Sequence, residues 1–162
     1  MVNSEDWLTL VVLAVRLGWS VATLDVKTAF LQTSLEFSNI GGKRTFLRVP
    51  HGVNVGPAKV LEVLKSIYGL RTAQSQWQAT FIAALQREGF QCSLYTDCIL
   101  TKVINGQPVI VITYVDDVIT LGPRVAAESA IAIIQKCFRT GEATFLEDCS
   151  CLLYTSPSPR DS

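Results

Sequence analysis

The sequence predicts an α+β fold built on an antiparallel sheet, and three observations lead there. Two apolar, β-branched runs, Cys98–Ile104 and Val109–Val115, flank Asn105-Gly106, the strongest short-range hairpin signal a sequence carries. Stretches of helical spacing lie on either side of that hairpin. Hydrophobic residues make up 49% of the 162 positions and charged residues 17%, which suits one globular domain with a core and excludes a disordered chain.

Taken in order, the first element is a helix. Asn3 or Ser4 can cap it, Glu5 and Asp6 suit its first turn, and Leu8, Val11, Val12 and Val15 share one face, with Gly18 as the stop. Ser20 to Asp25 reads as a short buried strand, followed by a turn or short helix over Lys27 to Leu31. Residues 37–57 are rich in turns and frame a strand at Phe46 to Val49. Lys59 to Leu70 fits a strand or a helix equally well. A helix returns over Thr72 to Glu88, with Trp77, Phe81, Ala84 and Leu85 on one stripe and Gly89 at its end.

After the hairpin, Asp116-Asp117 marks a second reversal before Val118–Leu121, because adjacent acids do not sit unpaired inside a buried strand. Pro123 opens a last helix whose packed face is Ala127, Ala130, Ile131, Ile134 and Phe138. A final strand is expected at Ala143–Leu146. Residues 1–150 form the domain. The tail 151–162, beginning Cys151-Leu152-Leu153-Tyr154-Thr155, resembles a translated transposase adaptor from a sequencing library and is expected to lie outside any packed structure.

Several function classes are disfavoured. Leu8 to Val15, the longest apolar stretch, is far short of the roughly 20 residues of a membrane span. Acids stand at the N-terminus where a signal peptide carries positive charge, so secretion is not expected. Five cysteines, no CxxC pair and a single histidine, His51, argue against a disulfide framework and a zinc site. Net charge is zero but uneven. Residues 1–75 hold eight Lys/Arg against five Asp/Glu, and residues 76–150 hold five against eight. That balance counts against tight, purely electrostatic nucleic-acid binding.

Three carboxylates carry the chemistry. Asp25 ends a buried strand, and Asp116 and Asp117 stand at the reversal of an apolar hairpin. If the two strands are neighbours, the acids converge at one sheet edge and raise one another's pKa unless a cation intervenes. Oxygen donors without His or Cys suit magnesium, and paired ions roughly 4 Å apart suit phosphoryl transfer. Spacing alone leaves open both this metal site and a solvated turn with a strand-end cap.

The surrounding motifs add a resemblance. Leu24-Asp25-Val26-Lys27-Thr28-Ala29-Phe30-Leu31 resembles the first palm motif of copia-type retrotransposon reverse transcriptases, and Tyr114-Val115-Asp116-Asp117 resembles their Tyr-x-Asp-Asp motif. Lys65-Ser66-Ile67-Tyr68-Gly69-Leu70-Arg71, followed by Trp77, is similar to the family's Ser-Leu-Tyr-Gly-Leu-Lys block with its downstream Trp. Gly89-Phe90 and Asp97-Cys98 keep the family's spacing, so the likeness runs from about Ser4 to Asp148.

The resemblance implies a ferredoxin-like polymerase palm with partial fingers and no thumb, part of a Pol polyprotein. It implies RNA-directed DNA polymerase activity on a primed RNA or DNA template, with deoxynucleoside triphosphates as substrates. Asp25 and Asp116 would bind two Mg²⁺ ions, for which Mn²⁺ can substitute, with Asp117 completing the cluster and the Val26 carbonyl a further ligand. Val26, Ala29 and Phe30 would line the nucleotide, Phe30 as the bulky gate against a ribose 2′-hydroxyl, and Tyr114 would lie near the primer end. Cytoplasmic, particle-associated assembly without a membrane is the family expectation. Read without the family, Phe30 is a core residue and Tyr114 a strand aromatic. Lys43, Arg44 and Arg48 read either as template-phosphate contacts or as a solvated loop face.

The chain also departs from the pattern. After Arg71 the family reads Gln, a small residue, Pro, Arg, where this chain has Thr72, Ala73, Gln74 and Ser75. That departure favours a second reading, a catalytically inactive relic of the same domain; a third, a nucleic-acid-binding module without chemistry, has the zero net charge against it.

Overall fold

A computed structural model describes residues 4–33, 45–54, 56 and 60–148, with side chains of the first helix described from Leu8 onward. Helix α1 (Ser4–Arg16) ends as expected. Gly18 takes φ +66°, its N–H donates to the Val15 carbonyl at 3.1 Å, and the Trp19 N–H donates to that of Ala14 at 2.8 Å. Those paired bonds close a helix on a left-handed residue, which glycine adopts without penalty.

The face of α1 that packs shares only Val11 with the one expected. Leu10, Val11 and Ala14 meet the sheet, whereas Leu8, Val12 and Val15 point outward. Leu10 to Val15 are apolar without a break, so spacing within that run does not choose the packed face. The small Ala14 side chain, fully buried, lets the helix approach the sheet closely.

Strand β1 (Ser20–Asp25) leads into a 3₁₀ turn at Ala29–Gln32. A separate exposed hairpin follows, β2 (Phe46–Arg48) paired with β3 (Val60–Glu62). The ambiguous stretch at residues 59–70 therefore opens as a strand and continues as irregular chain. Helix α2 (Ala73–Arg87) comes next, closed by Gly89 at φ +87°. The remaining elements are β4 (Gln91–Cys92), β5 (Ile99–Ile104), β6 (Gln107–Tyr114), β7 (Asp117–Gly122), α3 (Arg124–Cys137) and β8 (Thr144–Phe145). The Gly41-Gly42 turn, Lys43, Arg44 and the 151–162 tail lie outside the described residues.

All neighbours in the main sheet are antiparallel, in the order β4-β5-β6-β7-β1-β8. Asn105 and Gly106 both have positive φ, 52° and 77°, as the right-handed twist of a two-residue hairpin requires. Alternation along each strand then sorts the side chains into two layers. Ala22, Leu24, Val109, Val111 and Val118 face α2 and α3, while Val21, Ile112 and Leu121 face α1. The α+β expectation, an antiparallel sheet with packed helices, is borne out.

The larger layer is aromatic at its centre. Trp77, Phe81 and Leu85 descend from α2, and the Phe81 and Phe138 rings stack at 5.2 Å. Ala126, Ala127 and Ala130 let α3 lie close on the sheet. At its start, Arg124 bonds Glu128 at 2.7 Å and Asp148 at 3.0 Å and stacks over Phe145, fastening β8 and the following turn. Among the described residues no helix is long and apolar enough to cross a membrane.

Removing the central ring should be costly, because the cavity is enclosed by α2, α3 and the sheet. Phe81→Ala is expected to destabilise the chain by about 3–5 kcal/mol, whereas Val15→Ala on the outer face of α1 should stay within about 0.5 kcal/mol. Urea unfolding of both variants checks the assignment; equal losses would mean that the outer face of α1 is covered.

Candidate active site

The site is built by strand register. β1 pairs with β7 so that Leu24 opposes Val118 and Asp25 opposes Asp117, and β6 pairs with β7 so that Tyr114 opposes Asp117. Residues directly opposite in an antiparallel pair share a face. Tyr114, Asp117 and Asp25 therefore form one row across three strands, on the α1 face of the sheet but beyond the residues that α1 covers. All three are exposed, and Asp116 stands half-buried in the reversal beside them.

That reversal is shifted by one residue from the expected place. Its two loop residues are Val115 and Asp116, and Asp117 already belongs to β7. The register explains the shift: Val118 must enter the core layer opposite Leu24, which fixes Asp117 as the last paired residue before the turn. Val115 then takes φ +57°. A β-branched residue there carries strain of order 1–3 kcal/mol. Two hydrogen bonds hold the turn in this conformation. The Val26 N–H donates to the Asp116 carbonyl at 2.8 Å, and the Trp77 indole N–H donates to the Val115 carbonyl.

The strand end carrying Asp25 is fixed from the other side as well. The Asp25 carbonyl accepts the Gly141 N–H at 2.8 Å, and the Lys27 N–H donates to the Arg139 carbonyl at 3.0 Å. Val26 and Ala29 are buried in the core layer beneath the acids. Phe30 is buried on the 3₁₀ turn, its ring meeting the exposed Tyr68 edge-on at 4.7 Å. Sequence reasoning noted Tyr68 only as part of a motif, and Trp77 as that motif's downstream Trp and as part of an apolar stripe, with no contact assigned to either. The signal for the bond that Trp77 makes was chemical: a buried indole N–H seeks an acceptor.

A shallow cavity of about 180 Å³ adjoins the reversal, lined by Gln74, Trp77, Gln78, Cys98, Thr113, Tyr114 and Val115. Gln74, one of the departures from the family pattern, thus stands beside the clamped turn. Another, Ser75, only bonds back to the Thr72 carbonyl at 3.0 Å.

Burial and then the repulsion of Asp116 and Asp25 push the Asp117 carboxyl above its ordinary value. Among the described residues, no group of three or more His, Cys, Asp or Glu side chains is arranged to hold a metal ion by itself. An open site that keeps water and substrate oxygens in its coordination shell needs fewer carboxylates than that.

Because the folded chain binds the Asp117 proton more tightly than the unfolded chain, this group favours folding at low pH. Its contribution weakens as pH rises from the unfolded pKa through the raised folded one. Asp117→Asn is expected to raise the melting temperature at pH 7 by no more than about 2 °C, since the position is exposed, and to leave it unchanged near pH 3. Melting curves at the two pH values check this; a fall at pH 7 would show that Asp117 is stabilised, not repelled, by its neighbours.

Comparison with known proteins accords with this geometry. Residues 3–137 match the family described as reverse transcriptase (RNA-dependent DNA polymerase). Over 117 residues the chain is 32% identical to the retrovirus-related Pol polyprotein from transposon TNT 1-94 of Nicotiana tabacum. That alignment takes in 70% of this chain and 8% of the polyprotein. No solved structure matches significantly. With most of its length matched, including the segments that carry Asp25, Asp116 and Asp117, the chain belongs to the reverse transcriptase (RNA-dependent DNA polymerase) family, of the copia type that its motifs resemble.

Proposed function

We propose that this chain is the catalytic palm of an RNA-directed DNA polymerase encoded within a retrotransposon Pol polyprotein. The observation that carries the reading is the register pairing Asp25 with Asp117, with Asp116 next to them in the turn. The succession β1-α2-β6-β7-α3-β8, with its four strands in the order β6-β7-β1-β8, supports a ferredoxin-like palm. In this reading the partners are a primed RNA or DNA template, deoxynucleoside triphosphates and the remainder of the polyprotein.

The donor set fits magnesium. Its oxygens are hard, and a divalent cation would offset both the burial and the repulsion that raise the Asp117 pKa. Asp25 and Asp116 would hold two Mg²⁺ or Mn²⁺ ions, with Asp117 completing the cluster and the Val26 carbonyl a further ligand. When bound, such ions lower the pKa of an attacking hydroxyl and offset charge on the leaving oxygen. The reaction joins the primer 3′-oxygen to the α-phosphorus of the incoming nucleotide, breaks the bond to the β-phosphate and releases pyrophosphate.

The chain's own residues position that exchange. Tyr114, in the row with Asp117 and Asp25, would lie beneath the primer end. Phe30 and Ala29 follow Asp25 by one turn and would bound the sugar, Phe30 excluding a ribose 2′-hydroxyl. Its contact with Tyr68 steadies that ring.

A manganese titration of this chain tests the metal site. Asp25→Asn and Asp116→Asn are each expected to weaken binding by tenfold or more, roughly the loss seen when metal sites are disturbed. Affinity equal to wild type in both would remove the reading. In primer extension, Phe30→Val should raise ribonucleotide use relative to deoxynucleotide use by about tenfold or more. The ratio separates a gate from a packing residue, whose loss would lower both alike.

A further inference from the structure

Trp77 has two attributes that do not both follow from core packing. Its ring is 1% exposed and meets Phe81 and Phe138 at 5.7 Å and 5.1 Å, which any aromatic side chain of similar size could do. Its indole N–H, however, reaches from α2 to the Val115 carbonyl, 38 residues away in sequence, at the one turn that carries both Asp116 and Asp117. That turn is strained. The Asn105-Gly106 reversal places residues suited to positive φ where positive φ occurs, whereas the second reversal places a valine there.

Left to its own preference, Val115 would return to negative φ by turning about its N–Cα bond, which, with Tyr114 held in β6, carries the Val115–Asp116 peptide with it. The rotation would swing the Val115 carbonyl away, disturb the Val26 N–H bond to the Asp116 carbonyl, and loosen the Tyr114–Asp117 pairing. The indole bond opposes it, because it holds the oxygen of that peptide.

We propose that Trp77 is a positioning residue for the acidic turn: its N–H fixes the Val115–Asp116 peptide and thereby sets where the Asp116 and Asp117 carboxylates stand. This rests on the reading of those acids as a divalent-cation site. Trp77 acts through backbone and touches none of the reacting groups. Phenylalanine at this position keeps most of the ring volume and removes the donor. Glycine at position 115 removes the need for the donor, since it adopts positive φ freely.

The test compares wild type, Trp77→Phe, Trp77→Phe with Val115→Gly, and Asp25→Asn. Two readouts are taken, Mn²⁺ affinity and the hydrogen-exchange rate of the Val26 amide. Trp77→Phe is expected to weaken Mn²⁺ binding by roughly tenfold, as loss of an outer supporting bond does, and to speed exchange at Val26. Adding Val115→Gly should restore most of both, a rescue that lost core packing would not produce. Wild-type affinity and exchange in Trp77→Phe, or losses that Val115→Gly leaves in place, would overturn this proposal alone. Equal Mn²⁺ affinity in wild type and Asp25→Asn would overturn the cation site, and the proposal with it.

Discussion

The antiparallel register between β1 and β7 is the constraint on which the site depends, and apolar packing sets it. Leu24 and Val118 must enter the same layer beneath α2 and α3, and their pairing leaves Asp25 opposite Asp117. A slip of one residue would turn every side chain of β1 to the other face, exposing Ala22 and Leu24 and burying Thr23 and Asp25. The acids are thus held together by the hydrocarbon pair next to them in the two strands. Burial, and then the repulsion of Asp116 and Asp25, raise the pKa of Asp117, and the core layer outweighs that cost.

The reversal that carries Asp116 obeys the same logic at closer range. With Val118 committed to the core, only Val115 and Asp116 are left to make the turn, and the valine accepts positive φ. Such strain persists where the surroundings over-determine the backbone. Here the surroundings are β1, through the Val26 amide, and α2, through the Trp77 indole. Helix α2 therefore has two roles. It fills the aromatic centre with Phe81 and Leu85, and it delivers one polar bond to the turn.

The two faces of the sheet are unequal, and the site belongs to the less covered one. α2 and α3 close one face almost completely. α1 covers only part of the other, leaving the ends of β1, β6 and β7 open to solvent where Tyr114, Asp117 and Asp25 stand. In the proposed reading these carboxylates meet charged phosphates and must be reachable, and burying them fully would hold them protonated.

The sequence by itself determined most elements and the identity of the acids. β1 at Ser20–Asp25, the Asn105-Gly106 hairpin, the Gly18 and Gly89 helix ends and the packed face of α3 were legible because each rests on local chemistry or on clear periodicity. The motifs around Asp25 and Tyr114 were legible as family signatures. The packed face of α1 was not, because Leu10 to Val15 form an unbroken apolar run that singles out no face within it. Nor was the one-residue shift of the acidic turn, since strand pairing is decided by a partner about ninety residues distant. Tertiary structure alone brought Trp77 to Val115 and Tyr68 to Phe30. Such contacts arise from how layers stack, and local sequence holds no record of which buried donor will meet which strained carbonyl.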